Sequence, residues 1–413
     1  MLRKNRAFTK MFIAYGLSAL GDYFDFMAVA ILMGLIWKED AMTISLMPLS
    51  FAVPSILFSQ LAGILADRWN KRNLMIATDL IRACITVMLI FAPNAMVLIG
   101  LIALRSTARV FHYPAQQAMT RGVVEPDQLL QATSLNGAVF QLSKVLGPLF
   151  GVTVATVFSP SSCMAVNAAS FVLSACLLLL IPSKQGHIAS AEAASTETLR
   201  LRTAWRDGWR ILLQNRTLRV SVIFCLIGLS GIQMIDAQIS VLLRDVAPYR
   251  PELIGWLVTA IGAGGLASVA WLRRFKQLSA YGWLLGGGVT LIGILFAVAG
   301  MFQQDTPLYL ILFTAFIGGI GTGFTSAGMN YILQKETPSE AIGRVSGIFD
   351  SLNSVIFVIA PLIGGALIER WGASFTFLSV GIIVGGVGMI GVVLQRLLWR
   401  TALSAENMRS VVA

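Results

Sequence analysis

The stretch GILADRWNKRNL runs from Gly63 to Leu74. An apolar run gives way at Asp67 and Arg68, turns at Trp69 and Asn70, and restarts after Lys71 and Arg72. About 20 apolar residues suffice to cross the hydrocarbon core as a helix. The runs on either side, near 43–66 and 74–92, both reach that length. A short charged turn between two such runs reads as a membrane hairpin. The same reading extends outward to spans near 10–37, 96–118, 132–158 and 161–182, and then 219–243, 253–272, 281–302, 307–333, 342–368 and 373–398.

Composition agrees. The chain has 413 residues, 56% hydrophobic and only 12% charged, against about 25% charged in soluble domains. Twelve spans leave connections too short for a large soluble domain. The N-terminal run is too long for a signal peptide and should be retained as the first span. Cys84, Cys163, Cys176 and Cys225 all fall inside apolar runs, so no disulfide framework or thiolate metal motif is expected. Two histidines, His112 and His187, give metal chemistry little to use, and no cofactor is expected. No serine-histidine-acid set, zinc motif or phosphate loop points to an enzyme.

The excess of 31 Lys and Arg over 20 Asp and Glu is explained by topology rather than by nucleic acid. With the N-terminus inside, 23 basic residues collect on the inner side and four (Lys38, Arg244, Arg250 and Arg370) on the outer. Both termini are therefore expected in the cytoplasm. The only long polar stretch lies between the sixth and seventh spans. Expected domains are a six-helix bundle at 1–182, a linker at 183–218, a second bundle at 219–400 and a tail at 401–413. In the linker, Leu201, Trp205, Trp209 and Leu212 share one helical face and Arg202, Arg206 and Arg210 another, which describes an amphipathic helix on the inner leaflet or a spacer between bundles.

The halves repeat. GLSALGDYF at Gly16 aligns with GLSGIQMID at Gly228, and Pro126 aligns with Pro338, both at a shift of 212 residues. VLGPLFG around Pro148 matches VIAPLIG around Pro361 one residue further on. Three segments in order argue for duplication of a six-helix unit, an arrangement that places substrate near the midplane where two halves meet. The fold class is all-α integral membrane, twelve transmembrane helices in two six-helix bundles related by a pseudo-twofold repeat.

The Gly63–Leu74 loop resembles the signature of the major facilitator superfamily, with Gly63, Asp67, Arg68, Lys71 and Arg72 at its marked positions and Asn70 where glycine is usual. Asp67 could cap a neighbouring helix N-terminus near Gly343 and Arg344, closing the inner side as a latch. The alternative is a basic loop that only fixes topology. Gly147, Pro148 and Gly151 in SKVLGPLFG resemble the glycine-proline motif of exporters, although Val152 replaces a second glycine. Glycines four apart permit close packing and a mid-helix proline frees a carbonyl. FHYPAQQAMTRGVVEPDQLLQATSL, TAWRDGWRILLQNRTLR and TPSEAIGRVSGI look like loops of the macrolide-efflux and enterobactin-exporter branch. The resemblance implies a bacterial inner-membrane transporter.

Charges inside spans need a reason, because each costs about 3 kcal/mol even on permissive insertion scales. Asp22, Asp25, Arg105, Lys144 and Asp350 fall in the middle half of the bilayer, with Asp236 further out. Asp22 and Asp25 share one face of the first span, and Arg105 and Arg109 one face of the fourth. One of the two aspartates is expected to bind a coupling proton in competition with Arg105 and substrate; a permanent structural ion pair is the alternative. Asp236 occupies the repeat position of Phe24, Lys144 is a candidate counter-charge, Asp350 could join the latch or face the cavity, and Asp79 with Arg82 makes a local pair. Phe24, Phe26, Phe111, Tyr113, Phe140 and Tyr331 are candidates to line an apolar pocket. The expected function is proton-coupled export of amphipathic or lipophilic small molecules by a monomer in the lipid bilayer. A lysophospholipid flippase and a non-transporting sensor or scaffold are the alternatives.

Overall fold

Side-chain caps mark where polar turns give way to helices in the computed structural model, which describes residues 5–125, 128–182, 198–247, 250, 252–272, 274–275, 280–338 and 341–399. Helix α1 (Arg6–Ile31) starts at Asn5, whose carboxamide accepts the Phe8 amide. Asp40 caps α2 (Ala41–Arg68), Asn70 caps α3 (Lys71–Ile90) and Asn94 caps α4 (Ala95–Val123) in the same way. Helix α5 (Leu129–Val157) follows, and Ser159 with Pro160 opens α6 (Pro160–Leu179). Each cap satisfies an amide that the first helical turn leaves without an internal partner.

Beyond the linker come α7 (Thr198–Gln214) and α8 (Arg216–Ile235), the latter capped by Asn215. A 3-10 turn at Asp236–Gln238 separates α8 from α9 (Ile239–Val246). The remaining helices are α10 (Leu253–Leu272), α11 (Gly287–Ala299), α12 (Leu308–Glu336), α13 (Ile342–Trp371), α14 (Ala373–Val393) and the short α15 (Gln395–Leu398). Among the described residues no strand is present. Eleven helices are long and apolar enough to cross a membrane, and α5 contributes a further apolar segment, Leu146–Val157.

Two expectations are adjusted. The seventh span runs as one apolar segment over Arg216–Val246 but tightens into a 3-10 turn at Asp236–Gln238. The fourth span reaches Val123 rather than residue 118, since its last two turns carry buried polar residues, Gln116 and Thr120, that favour protein over lipid.

The chain divides into two compact units, residues 1–192 with 247–259, and residues 193–246 with 260–413. In the first, α1 packs on α5 and α6, α3 on α4 and α6, and α2 on α4. In the second, α8 packs on α13 and α11 on α12 and α14. The internal repeat appears in this pairing. Gly151 of α5 lies against the Phe24 backbone of α1, and Gly364 of α13 lies against the Met234 backbone of α8. Gly147, one turn before Gly151, abuts Tyr23.

Basic side chains tie the ends of each unit. Arg72 donates to the carbonyls of Leu178 and Leu179 at 3.0 and 2.8 Å, and Lys10 to Leu180 at 2.7 Å, so two cations sit at the negative end of α6. In the second unit Arg216 donates to the Leu397 carbonyl at 2.7 Å. The second core gathers Leu218, Cys225, Tyr281, Leu285, Ile332 and Val345. Helix α7 belongs to it: Leu212 is buried there, Trp209 packs alongside, and Gly208 rests on Arg344 and Ile348 of α13. The amphipathic helix thus uses part of its apolar face against protein instead of the leaflet, while Trp205 stays exposed.

Candidate functional site

The charges cluster inside the first unit. Because Asp22 and Asp25 are three residues apart on α1, and Arg105 and Arg109 four apart on α4, two acids and two cations can meet along one helix-helix seam. They do. Arg105 pairs with Asp25 and also reaches the Thr86 hydroxyl at 3.4 Å. Arg109 lies 3.8 Å from Asp22.

Arg82 of α3 joins the set. Its Nη2 donates to both Asp22 oxygens at 2.9 and 2.8 Å, and its Nη1 to Asp79 Oδ1 at 3.4 Å. The guanidinium also stacks over the Phe171 ring of α6, 3.9 Å from its centroid. The local Asp79–Arg82 pair is therefore the longer of two contacts, and the shorter one crosses to α1. Asp79 Oδ2 accepts the Ser174 hydroxyl of α6 at 2.6 Å. His112 of α4 brings Nδ1 to within 3.3 Å of Asp79 Oδ1 and 3.0 Å of the Thr78 hydroxyl. One network thus crosses α1, α3, α4 and α6.

Burial separates the two aspartates. Asp25 is wholly enclosed, with a side-chain exposure of 0%, and its second oxygen faces Asn167 of α6 without a hydrogen bond. Asp22 keeps 20% and Arg109 54%. Among the described residues, Asp22 and Arg109 carry the network to the surface of the unit. Tyr113, one turn beyond Arg109, is exposed as well.

The other expected positions are distributed. Phe24 and Phe26 are half-buried, with the Phe26 ring against Phe51, and the Phe111 ring lies against Phe58. Asp236 is exposed at the 3-10 turn, and Asp350 and Arg344 are exposed on α13. Tyr331 is half-buried, with the Lys335 ammonium over its ring. Pro148 and Pro361 lie inside continuous helices. A side chain at Gly63 would meet nothing within 4 Å. Asn70 adopts an extended backbone and caps α3, which explains how the loop dispenses with glycine. Lys71 is buried and Arg68 exposed. The side chains of Asp67, Phe140, Lys144 and Gly343 lie outside the described residues.

Sequence reasoning missed Arg82 as the hub and His112 as a member. The available signal was a second acid and base, Asp79 and Arg82, well inside a span. Their i,i+3 spacing reads as a local pair and hides the contact across helices.

Eleven helices able to cross a membrane, in two compact units with an ion network reaching the surface of the first, define a multi-pass membrane transporter. The family model of the Major Facilitator Superfamily matches residues 11–275 and 249–408, and the chain belongs to that family. It is 26% identical over 394 residues to the uncharacterized transporter YfiS of Bacillus subtilis, covering 94% of this chain and 93% of that one. It is 22% identical over 353 residues to macrolide efflux protein A of Streptococcus pyogenes, covering 84% and 85%. Multidrug efflux pumps are further relatives. Among solved structures, the nucleoside transporter NupG superposes with a TM-score of 0.73 at 14% identity over 95% of this chain and 99% of that one, a likeness of fold. These relatives are transporters of the bacterial cell membrane and not enzymes.

Proposed function

We propose that this transporter exports amphipathic or lipophilic small molecules in exchange for protons, by alternating access of two six-helix halves. Twelve spans with both termini cytoplasmic are part of the reading, supported by the 23 to 4 distribution of basic residues. Export of a drug-like solute draws on the efflux relatives, among them macrolide efflux protein A. No cofactor is needed, since the proton is the coupling ion.

One observation carries the coupling: Asp22 joins the buried network to its exposed edge. A carboxylate held by Arg82 on one side and half-open on the other can exchange partners at modest cost. Protonation of Asp22 would release Arg82 and Arg109, and a solute bearing an acceptor could then take their donors. Asp25 favours a structural role, because its pairing with Arg105 is fully enclosed. Breaking such a buried pair costs about 3–5 kcal/mol.

The test is efflux of a panel of macrolides and lipophilic dyes from expressing and deletion cells, with and without a protonophore. Expressing cells should retain less of at least one compound, and the protonophore should abolish the difference. A difference that survives collapse of the proton gradient would refute proton coupling, and no difference for any compound would refute drug export.

A further inference from the structure

We propose that His112 and Asp79 form a second proton-binding site in the first unit, one whose occupancy sets how firmly Arg82 holds Asp22. The proposal deepens the proton-coupled reading and rests on it for its physiological meaning.

The ring of His112 is set among acceptors. Nδ1 faces the Asp79 carboxylate at 3.3 Å and the Thr78 oxygen at 3.0 Å. The Thr78 hydroxyl has carbonyls of its own chain in reach, Leu74 and Met75, both at 2.9 Å. Its single proton can go to one of them, which leaves its oxygen free to accept from the imidazole. The Met75 carbonyl also faces the ring. A nitrogen so surrounded by oxygens is placed to carry a hydrogen.

Charged groups reach this ring from two neighbouring helices: from α3 come Asp79 and Arg82 and from α1 comes Asp22, while α6 adds only the neutral Ser174 hydroxyl on the far oxygen of Asp79. On α4 itself the ionisable residues are Arg105, Arg109, Tyr113 and Arg121. Helix α2, packed on the other side of α4, has no ionisable residue between Asp40 and Asp67.

Coupling follows from sharing. Asp79 Oδ1 sits between Arg82 at 3.4 Å and His112 at 3.3 Å. While the imidazole is neutral, one guanidinium serves two carboxylates, Asp79 and Asp22. Once the imidazole is charged, Asp79 has its own cation, and Arg82 is left to Asp22. Linkage makes the effect reciprocal: whatever happens at Asp22 must alter proton occupancy at His112.

The chain has two histidines, so His187→Gln leaves one imidazole to observe. Nitrogen NMR of histidine-labelled full-length protein in lipid nanodiscs then reads the charge of His112 directly, without a transport substrate. The expected result is an imidazole that gains a proton between pH 5 and 8, with a charged population at pH 6.5 that falls about tenfold in Asp79→Asn. Asp22→Asn, which turns Arg82 wholly onto Asp79, should lower that population about threefold. Should Asp79→Asn fail to fold, Asp22→Asn still reads the coupling. An imidazole in a single charge state across that range, or a population indifferent to Asp22, overturns the proposal. Proton-driven export retained by Asp22→Asn, with the expected His112 titration, would instead count against the role assigned to Asp22.

Discussion

At the scale of residues, the same chemical type does different work according to burial. Asp25 and Asp22 are one helical turn apart, yet one is sealed against Arg105 and the other lies partly open beside Arg82 and Arg109. Arg105→Gln strands a buried carboxylate, so it should lower stability by about 3–5 kcal/mol, read as a large fall in Tm in detergent. Asp22→Asn should lower Tm far less, because Arg82 keeps Asp79 as a partner and Arg109 is open to water. Equal losses would argue against the division of roles. Asn70→Ala removes the α3 cap and should cost about 1 kcal/mol, whereas Asn70→Gly should cost a few tenths. That Asp22 and Asp25 share one face of the first span and Arg105 and Arg109 one face of the fourth was legible from helical spacing, and the family resemblance set those two helices beside each other. Arg82 was not, because sequence separation gives no sign of which helices become neighbours, and its nearest acid along the chain is not its nearest in space.

At the scale of elements, length and apolar composition located the spans to within a few residues. Their interruptions were harder to see: the turn at Asp236–Gln238 costs no change in overall hydropathy, so a window average passes over it. The glycine motif is a packing device at a helix crossing. Gly147 abuts Tyr23 and Gly151 abuts the Phe24 backbone, so α1 and α5 approach closely. Gly147→Val should force them apart, with reduced yield of monodisperse protein and a fall in Tm equivalent to about 1–3 kcal/mol of overpacking. Gly63→Val should leave Tm within about 0.5 kcal/mol of the parent, since nothing lies within 4 Å of the added carbon. The reverse order of effects would show that the loop glycine, and not the one in α5, makes the essential contact. Helix α7 shows how tertiary context decides an amphipathic face: its periodicity was plain in the sequence, but its partner, the α13 surface at Arg344 and Ile348, was not.

At the scale of the whole molecule, the chain forms two compact units, and each has a glycine at a helix crossing, Gly151 against Phe24 and Gly364 against Met234. The proposed orientation is open to direct test. Single cysteines replacing Lys38 or Arg370 in a background without native cysteines should react with an impermeant maleimide in intact cells, while one replacing Arg68 should react only after permeabilisation. The central claim is that Asp22 exchanges the proton that drives export. It is tested by reconstituting wild type and Asp22→Asn in vesicles with an acidic interior and measuring uptake of a macrolide alongside its counterflow without a gradient. The account predicts gradient-driven uptake by wild type, none by Asp22→Asn, and counterflow by both. Gradient-driven uptake by Asp22→Asn equal to that of wild type would contradict it.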